Sequence, residues 1–70
     1  MSDLLDLAVV IPTFNERRNV PVLVAKLDEA LKHVAWEAIF VDDDSPDGTA
    51  DAARELARVD RRVRVIQRIG

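Results

Sequence analysis

Apolar residues along the chain follow two rhythms. Residues 7–11 (LAVVI), 36–41 (WEAIFV) and 63–66 (VRVI) are short runs rich in β-branched side chains, with the length and composition of strands. Between the first two runs, Val20, Leu23, Val24, Leu27, Leu31 and Val34 recur at helical spacing, with Lys26, Asp28, Glu29 and Lys32 on the opposite side. This predicts an amphipathic helix with Asn19 as its N-cap and Pro21 tolerated in the first turn. A second helix is predicted over residues 50–59 (ADAARELARV). Its apolar face of Ala53, Leu56 and Ala57 is small enough for close packing on a sheet, and Asp47 or Thr49 stands ready as its cap. The intervening "SPDGT" is turn chemistry, since Pro46 fixes its own φ and Gly48 permits a positive one.

Strand, helix, strand, helix, strand with short connections predicts an α/β fold, a βαβαβ unit with a parallel sheet in the order 3-2-1. Right-handed crossovers then put both helices on one face. The runs LAVVI and AIFV are apolar on both faces, as in sheets covered on both sides, yet nothing in the sequence is left to cover the second. Residues 1–70 are therefore expected to be the incomplete, Rossmann-like first half of a single larger domain.

Composition narrows the classes of function. Seventy residues make one small domain at most, and a chain of this size buries only about 60% of the surface it exposes when unfolded. The sequence has no cysteine, so neither a disulfide nor a cysteine-based zinc site supplements the core. A formal charge of −3, from 13 acidic and 10 basic residues well mixed, argues against an electrostatic grip on nucleic acid. Asp3 and Asp6 stand where a signal peptide carries Lys or Arg, and the apolar stretch after them is interrupted by Pro12. A cytosolic location is expected. His33, near the predicted end of the first helix, and Trp36, opening the second strand, need no ligand to explain them.

The chemistry gathers at the strand ends, where open α/β sheets bind their ligands. "PTFNE" follows the first strand and "DDDSPDGT" the second. If these strands are neighbours, Phe14, Glu16 and the aspartates converge on one crevice that offers an apolar flat surface beside hydrogen-bond acceptors. That combination suits a nucleobase, whose ring packs while its N–H groups reach carboxylates. It is a poor place for bare phosphate, because no Gly-rich loop or Lys is present. Strand alternation sends Asp42 and Asp44 one way and Asp43 the other while the backbone stays extended, so at most two of the three share a site.

"VVIPTFNE" followed by "FVDDDSPDGT" resembles the start of family 2 glycosyltransferases of the GT-A fold, and within them most resembles polyprenol-phosphate (dolichol-phosphate) mannosyltransferases. The resemblance implies transfer of mannose from GDP-mannose to a polyprenyl phosphate with inversion. Mg²⁺ or Mn²⁺ would offset charge on the departing diphosphate, and the lipid acceptor would bring the protein to the cytoplasmic face of a membrane. It further implies that Pro12, Phe14 and Glu16 line the nucleotide pocket, and that Val41, Asp42 and Asp43 hold the base and ribose. Two departures stand out. Asp44 occupies a place where the family usually has Gly or another small residue, and the Asp-x-Asp metal motif expected beyond the third strand is not in the sequence. No catalytic or metal-binding residue is therefore expected within the 70 residues, which alone should be inactive.

Other readings compete. Asp-, Pro- and Gly-rich turns are common, and DDDSPDG alone would be read as a polar turn with a helix cap. Asp43, Ser45, Asp47 and Gly48 partly match a calcium-binding EF-hand loop, but the closing Glu is displaced to Glu55 and a strand precedes the loop instead of a helix. A response-regulator receiver also carries an acidic pair after a strand. There the pair follows the first strand, whereas here it follows the second, and residues 63–67 supply no terminal Asp. Within the glycosyltransferase reading, the carboxylates accept donors from guanine or uracil alike, so a UDP-sugar remains the alternative donor.

Overall fold

A computed structural model describes residues 5–68; Asp3, named above, lies outside them. The elements run β1 (Leu7–Thr13), α1 (Asn19–Ala30), β2 (Trp36–Asp42), α2 (Thr49–Val59) and β3 (Val63–Gln67). The sheet has the order β1-β2-β3, with both pairings parallel, as expected for half of a GT-A sheet. Ile11 sits beside Phe40 and Thr13 beside Asp42, while Asp42 in turn faces Gln67.

β1 extends through Pro12 instead of ending before it. The Thr13 carbonyl accepts the Asp43 N–H at 3.1 Å and the Leu7 N–H reaches the Ala35 carbonyl at 3.2 Å. Odd-numbered residues of β1 thus bond to β2, and even-numbered ones turn their backbone to the open edge. Pro12 is in the second set, where its missing donor costs no ladder bond.

The core lies on one face of the sheet. Val20 and Val24 of α1, Ala53 of α2, and Trp36, Ala38, Phe40 and Val63 of the strands are buried together. α1 is shorter than its apolar periodicity implies: the helix stops at Ala30, and Leu31 and Val34 pack onto the core from the turn that follows. His33 is exposed in that turn, beyond the helix. Asn19 is the first helical residue, not the cap. Arg18 holds the cap position without a capping side chain, and the Glu16 carbonyl accepts the N–H groups of Asn19 (2.9 Å) and Val20 (3.1 Å) instead. At the far end of the sheet, Trp36 is buried and the Arg62 guanidinium lies 4.3 Å from its ring centroid, tied to Asp60 and Asp28 at 2.8 Å each. Trp36 is thus a packing residue.

Among the described residues nothing packs over the second sheet face, as its apolar composition foretold. Val10 is 61% and Ile66 54% exposed, with Ile39 and Val41 half-buried between them. An apolar strip of this kind promotes association. The 70-residue chain in isolation is expected to self-associate, seen in sedimentation as a mass that rises with concentration. A monomer with a sharp, concentration-independent melt would contradict this.

Candidate functional site

β1 and β2 run parallel as neighbours, so the loops that follow them emerge side by side. They are then stitched together. Three consecutive backbone donors of the first loop each find a side chain of the second: Asn15 N–H to Ser45 Oγ (2.8 Å), Glu16 N–H to Thr49 Oγ1 (2.9 Å) and Arg17 N–H to Asp47 Oδ2 (3.3 Å). Asn15 and Asp44 adopt left-handed backbone, with φ of 54° and 56°. Asn and Asp are the non-glycine residues that tolerate this best. Gly48 precedes α2 with φ 85°, and the Arg17 side chain lies across it.

The caps of α2 differ slightly from expectation. Thr49 is its first residue, and Asp47 Oδ1 accepts both the Thr49 N–H (3.0 Å) and the Thr49 hydroxyl. Asp47 therefore serves both loops. The Thr49 hydroxyl, with the Arg17 and Thr49 N–H groups behind it, holds the Asp47 carboxyl below the usual carboxylate range. Because its folded pKa is depressed, its contribution is present above the unfolded value of about 4 and is lost as pH falls through the folded one. The seam is thus expected to stay closed at neutral pH and to open only in acid below about pH 4. Amide exchange at Arg17 and Thr49 checks this, and early loss of protection near pH 6 would contradict it.

The three aspartates that end β2 have separate fates. Asp42 is 1% exposed. Its Oδ1 accepts the hydroxyls of Thr13 (3.2 Å) and Ser45 (2.6 Å), and its Oδ2 the Ser45 N–H (2.9 Å). Asp44 is exposed and accepts a hydrogen bond from Gln67 Nε2 at 3.2 Å. Asp43 has its backbone tied to Thr13, yet its exposed carboxylate engages no partner among the described residues.

Pro12, Thr13, Phe14, Val41, Asp43 and Arg68 surround a hollow of about 270 Å³ at the strand ends. Phe14 is 56% exposed beside it, an aromatic with no core to join. Of the residues singled out from sequence, Pro12, Phe14, Val41 and Asp43 come together here. Glu16 does not join them. It lines an adjoining hollow of about 420 Å³ with Ile11, Pro12, Thr13, Asn19 and Lys26, and its Oε2 accepts a hydrogen bond from Asn19 Nδ2 at 2.7 Å. Asp42 lies beneath the site with its oxygens already engaged. Sequence reasoning passed over Arg68, and it named Ser45 only as part of a partial calcium-loop match and Thr49 only as a helix cap. Counting Arg68 onto the same face as Ile66 would have found it. The part the two hydroxyls play in joining the loops carried no signal, since the groups they accept from are backbone N–H donors on another loop.

The description "Glycosyl transferase family 2" belongs to the family model that matches residues 8–69. The chain is 48% identical over 50 residues to a dolichol-phosphate mannosyltransferase of Pyrococcus furiosus, covering 71% of this chain and 14% of that protein. It is also 48% identical over 61 residues to a polyprenol monophosphomannose synthase of Mycolicibacterium smegmatis, covering 86% of this chain and 22% of that one. The chain thus spans under a quarter of the length of either relative. With the parallel sheet, the paired strand-end loops and a family match over nearly its whole length, the chain belongs to glycosyltransferase family 2.

Proposed function

We propose that the intact protein transfers mannose from GDP-mannose to a polyprenyl phosphate with inversion, and that these 70 residues form the nucleotide side of its donor site. One observation carries the reading: an exposed aromatic, Phe14, and a carboxylate without a partner among the described residues, Asp43, flank one hollow at the carboxyl ends of adjacent parallel strands. The names of the two relatives support the choice of sugar and acceptor. In this reading Phe14, Pro12 and Val41 pack against the nucleoside, and Asp43 accepts its N–H or ribose O–H donors. Glu16 bounds the site from the neighbouring hollow, and Asp42 acts from below by holding Thr13 and Ser45. The acceptor phosphate is already an anion, so no strong general base is needed to make it a nucleophile.

Among the described residues no group of three or more His, Asp or Glu side chains is placed to hold a metal ion. On the resemblance to the family, the ligands for Mg²⁺ or Mn²⁺ are proposed to lie in the Asp-x-Asp motif outside this sequence. No described helix is long and apolar enough to cross a membrane. The proposed place of action is the cytoplasmic face of the membrane that holds the lipid acceptor. Calorimetric titration of the intact protein with GDP and UDP, with and without Mn²⁺, tests the donor, and formation of mannosyl-phosphoryl-polyprenol tests the reaction. GDP is expected to bind more tightly than UDP. Preference for UDP, or no lipid product from GDP-mannose, would overturn the assignment.

A further inference from the structure

We infer that Arg68 reads the nucleobase together with Asp43, and that the pair selects guanine through its donor–donor–acceptor edge; this rests on the nucleotide-sugar reading above. Arg68 follows β3, and its N–H donates to the Asp42 carbonyl at 2.7 Å, which carries the ladder one residue past the strand and fixes the Arg68 backbone beside Asp43. The preceding Gln67 is turned to the other face. Its Oε1 accepts from Arg54 at 2.6 Å and its Nε2 donates to Asp44. Alternation therefore sends the Arg68 side chain to the face of Val41 and Asp43, with which it lines the hollow.

Arg68 is also unlike most of its neighbours. Arg54, Arg58, Arg62 and Arg64 are each paired with a carboxylate, whereas Arg68 makes no ion pair among the described residues. Among the described residues, a guanidinium and a carboxylate without partners thus end adjacent strands, whose backbones are spaced about 4.8 Å apart. The two groups present a pair of acceptors next to a fork of donors.

Guanine matches that pattern. Its N1–H and N2–H₂ donors suit the Asp43 carboxylate, and O6, the next atom on the ring, faces Arg68 with N7 beyond it. Adenine puts an N6–H₂ donor where the guanidinium needs an acceptor. Uracil offers one N–H between two carbonyls, so one of them would face the carboxylate. Both mismatches leave like groups opposed, which is how a site rejects the wrong ligand. A phosphate placed at Arg68 would meet the Asp43 charge alongside.

The test titrates the intact protein with GDP, IDP, ADP and UDP, comparing wild type with Arg68→Ala and Arg68→Lys. IDP keeps O6 and N7 but lacks the 2-amino group. Arg68→Ala is expected to weaken GDP and IDP each by about tenfold or more, with their ratio kept and ADP and UDP little changed. Arg68→Lys should not restore them, since an ammonium lacks the planar fork. Equal weakening of all four nucleotides with recovery in Arg68→Lys would make Arg68 a phosphate-binding cation and overturn the inference. No change in any would overturn it as well. Wild type that prefers UDP would sink the inference but leave the nucleotide reading standing, and wild type that binds no nucleoside diphosphate would sink both.

Discussion

Replacing Asp43 by Ala in the intact protein should weaken nucleotide binding by about tenfold or more, because a hydrogen bond to a charged group contributes roughly 1.5–3 kcal/mol. Its thermal melting should hardly move. The carboxylate is exposed and without a partner among the described residues, so nothing in the fold leans on it. The control is Asp51→Ala, which removes an exposed carboxylate from the first turn of α2, where among the described residues it pairs with Arg54 alone. An exposed pair of that kind contributes about 0–1 kcal/mol to stability and nothing to a nucleotide elsewhere. Equal loss of binding from both variants, or from neither, would remove Asp43 from the site.

Asp42→Ala is expected to behave in the opposite way. Its oxygens serve the Thr13 hydroxyl and both donors of Ser45, and no buried side-chain polar atom among the described residues is left unsatisfied. Truncation strands these groups where water has little access, at about 1–3 kcal/mol for each group left unpaired. Against a total stability of about 0.05–0.15 kcal/mol per residue, that is enough to loosen the whole strand end. The melting temperature of the intact protein should fall by several degrees, and nucleotide binding should fall with it because Phe14 and Asp43 lose their support. An unchanged melt with selective loss of binding would instead place Asp42 in contact with the nucleotide.

The contrast between these neighbouring carboxylates shows what a sequence can reveal and where it stops. The sheet was legible because period-two burial in WEAIFVD and the apolar helix stripes depend only on local pattern. The parallel order followed from connection length. Which aspartate serves the fold and which faces outward was half legible. Alternation separates Asp42 from Asp43, but the inner role of Asp42 depends on Thr13 and Ser45, contributed by two different segments. Asp44 bonds to Gln67, on the side away from Asp43, although its own backbone is left-handed. The end of α1 was misjudged, since Leu31 and Val34 keep the helical spacing while packing from a turn. Pro12 was expected to end β1, and an edge strand's idle donor positions are invisible until strand order is known.

The stitching of the two loops explains how exposed groups hold a defined pocket. Phe14 is carried on a segment whose next three backbone donors are fixed by Ser45, Thr49 and Asp47. Asp43 is carried on the other segment, directly joined to Thr13. Neither needs its own side chain anchored, because the backbones beneath them are. A strained or polar loop is tolerated where a rigid sheet supports it, which is where binding groups are commonly presented.

Hydrogen–deuterium exchange of the intact protein with and without GDP tests the central claim most directly. If two loops at the ends of adjacent parallel strands embrace one nucleoside, GDP should slow exchange together in residues 13–17 and 43–49, leaving residues 54–60 of α2 and its end unchanged. Protection of one loop without the other, or of neither while GDP binds, would contradict the account.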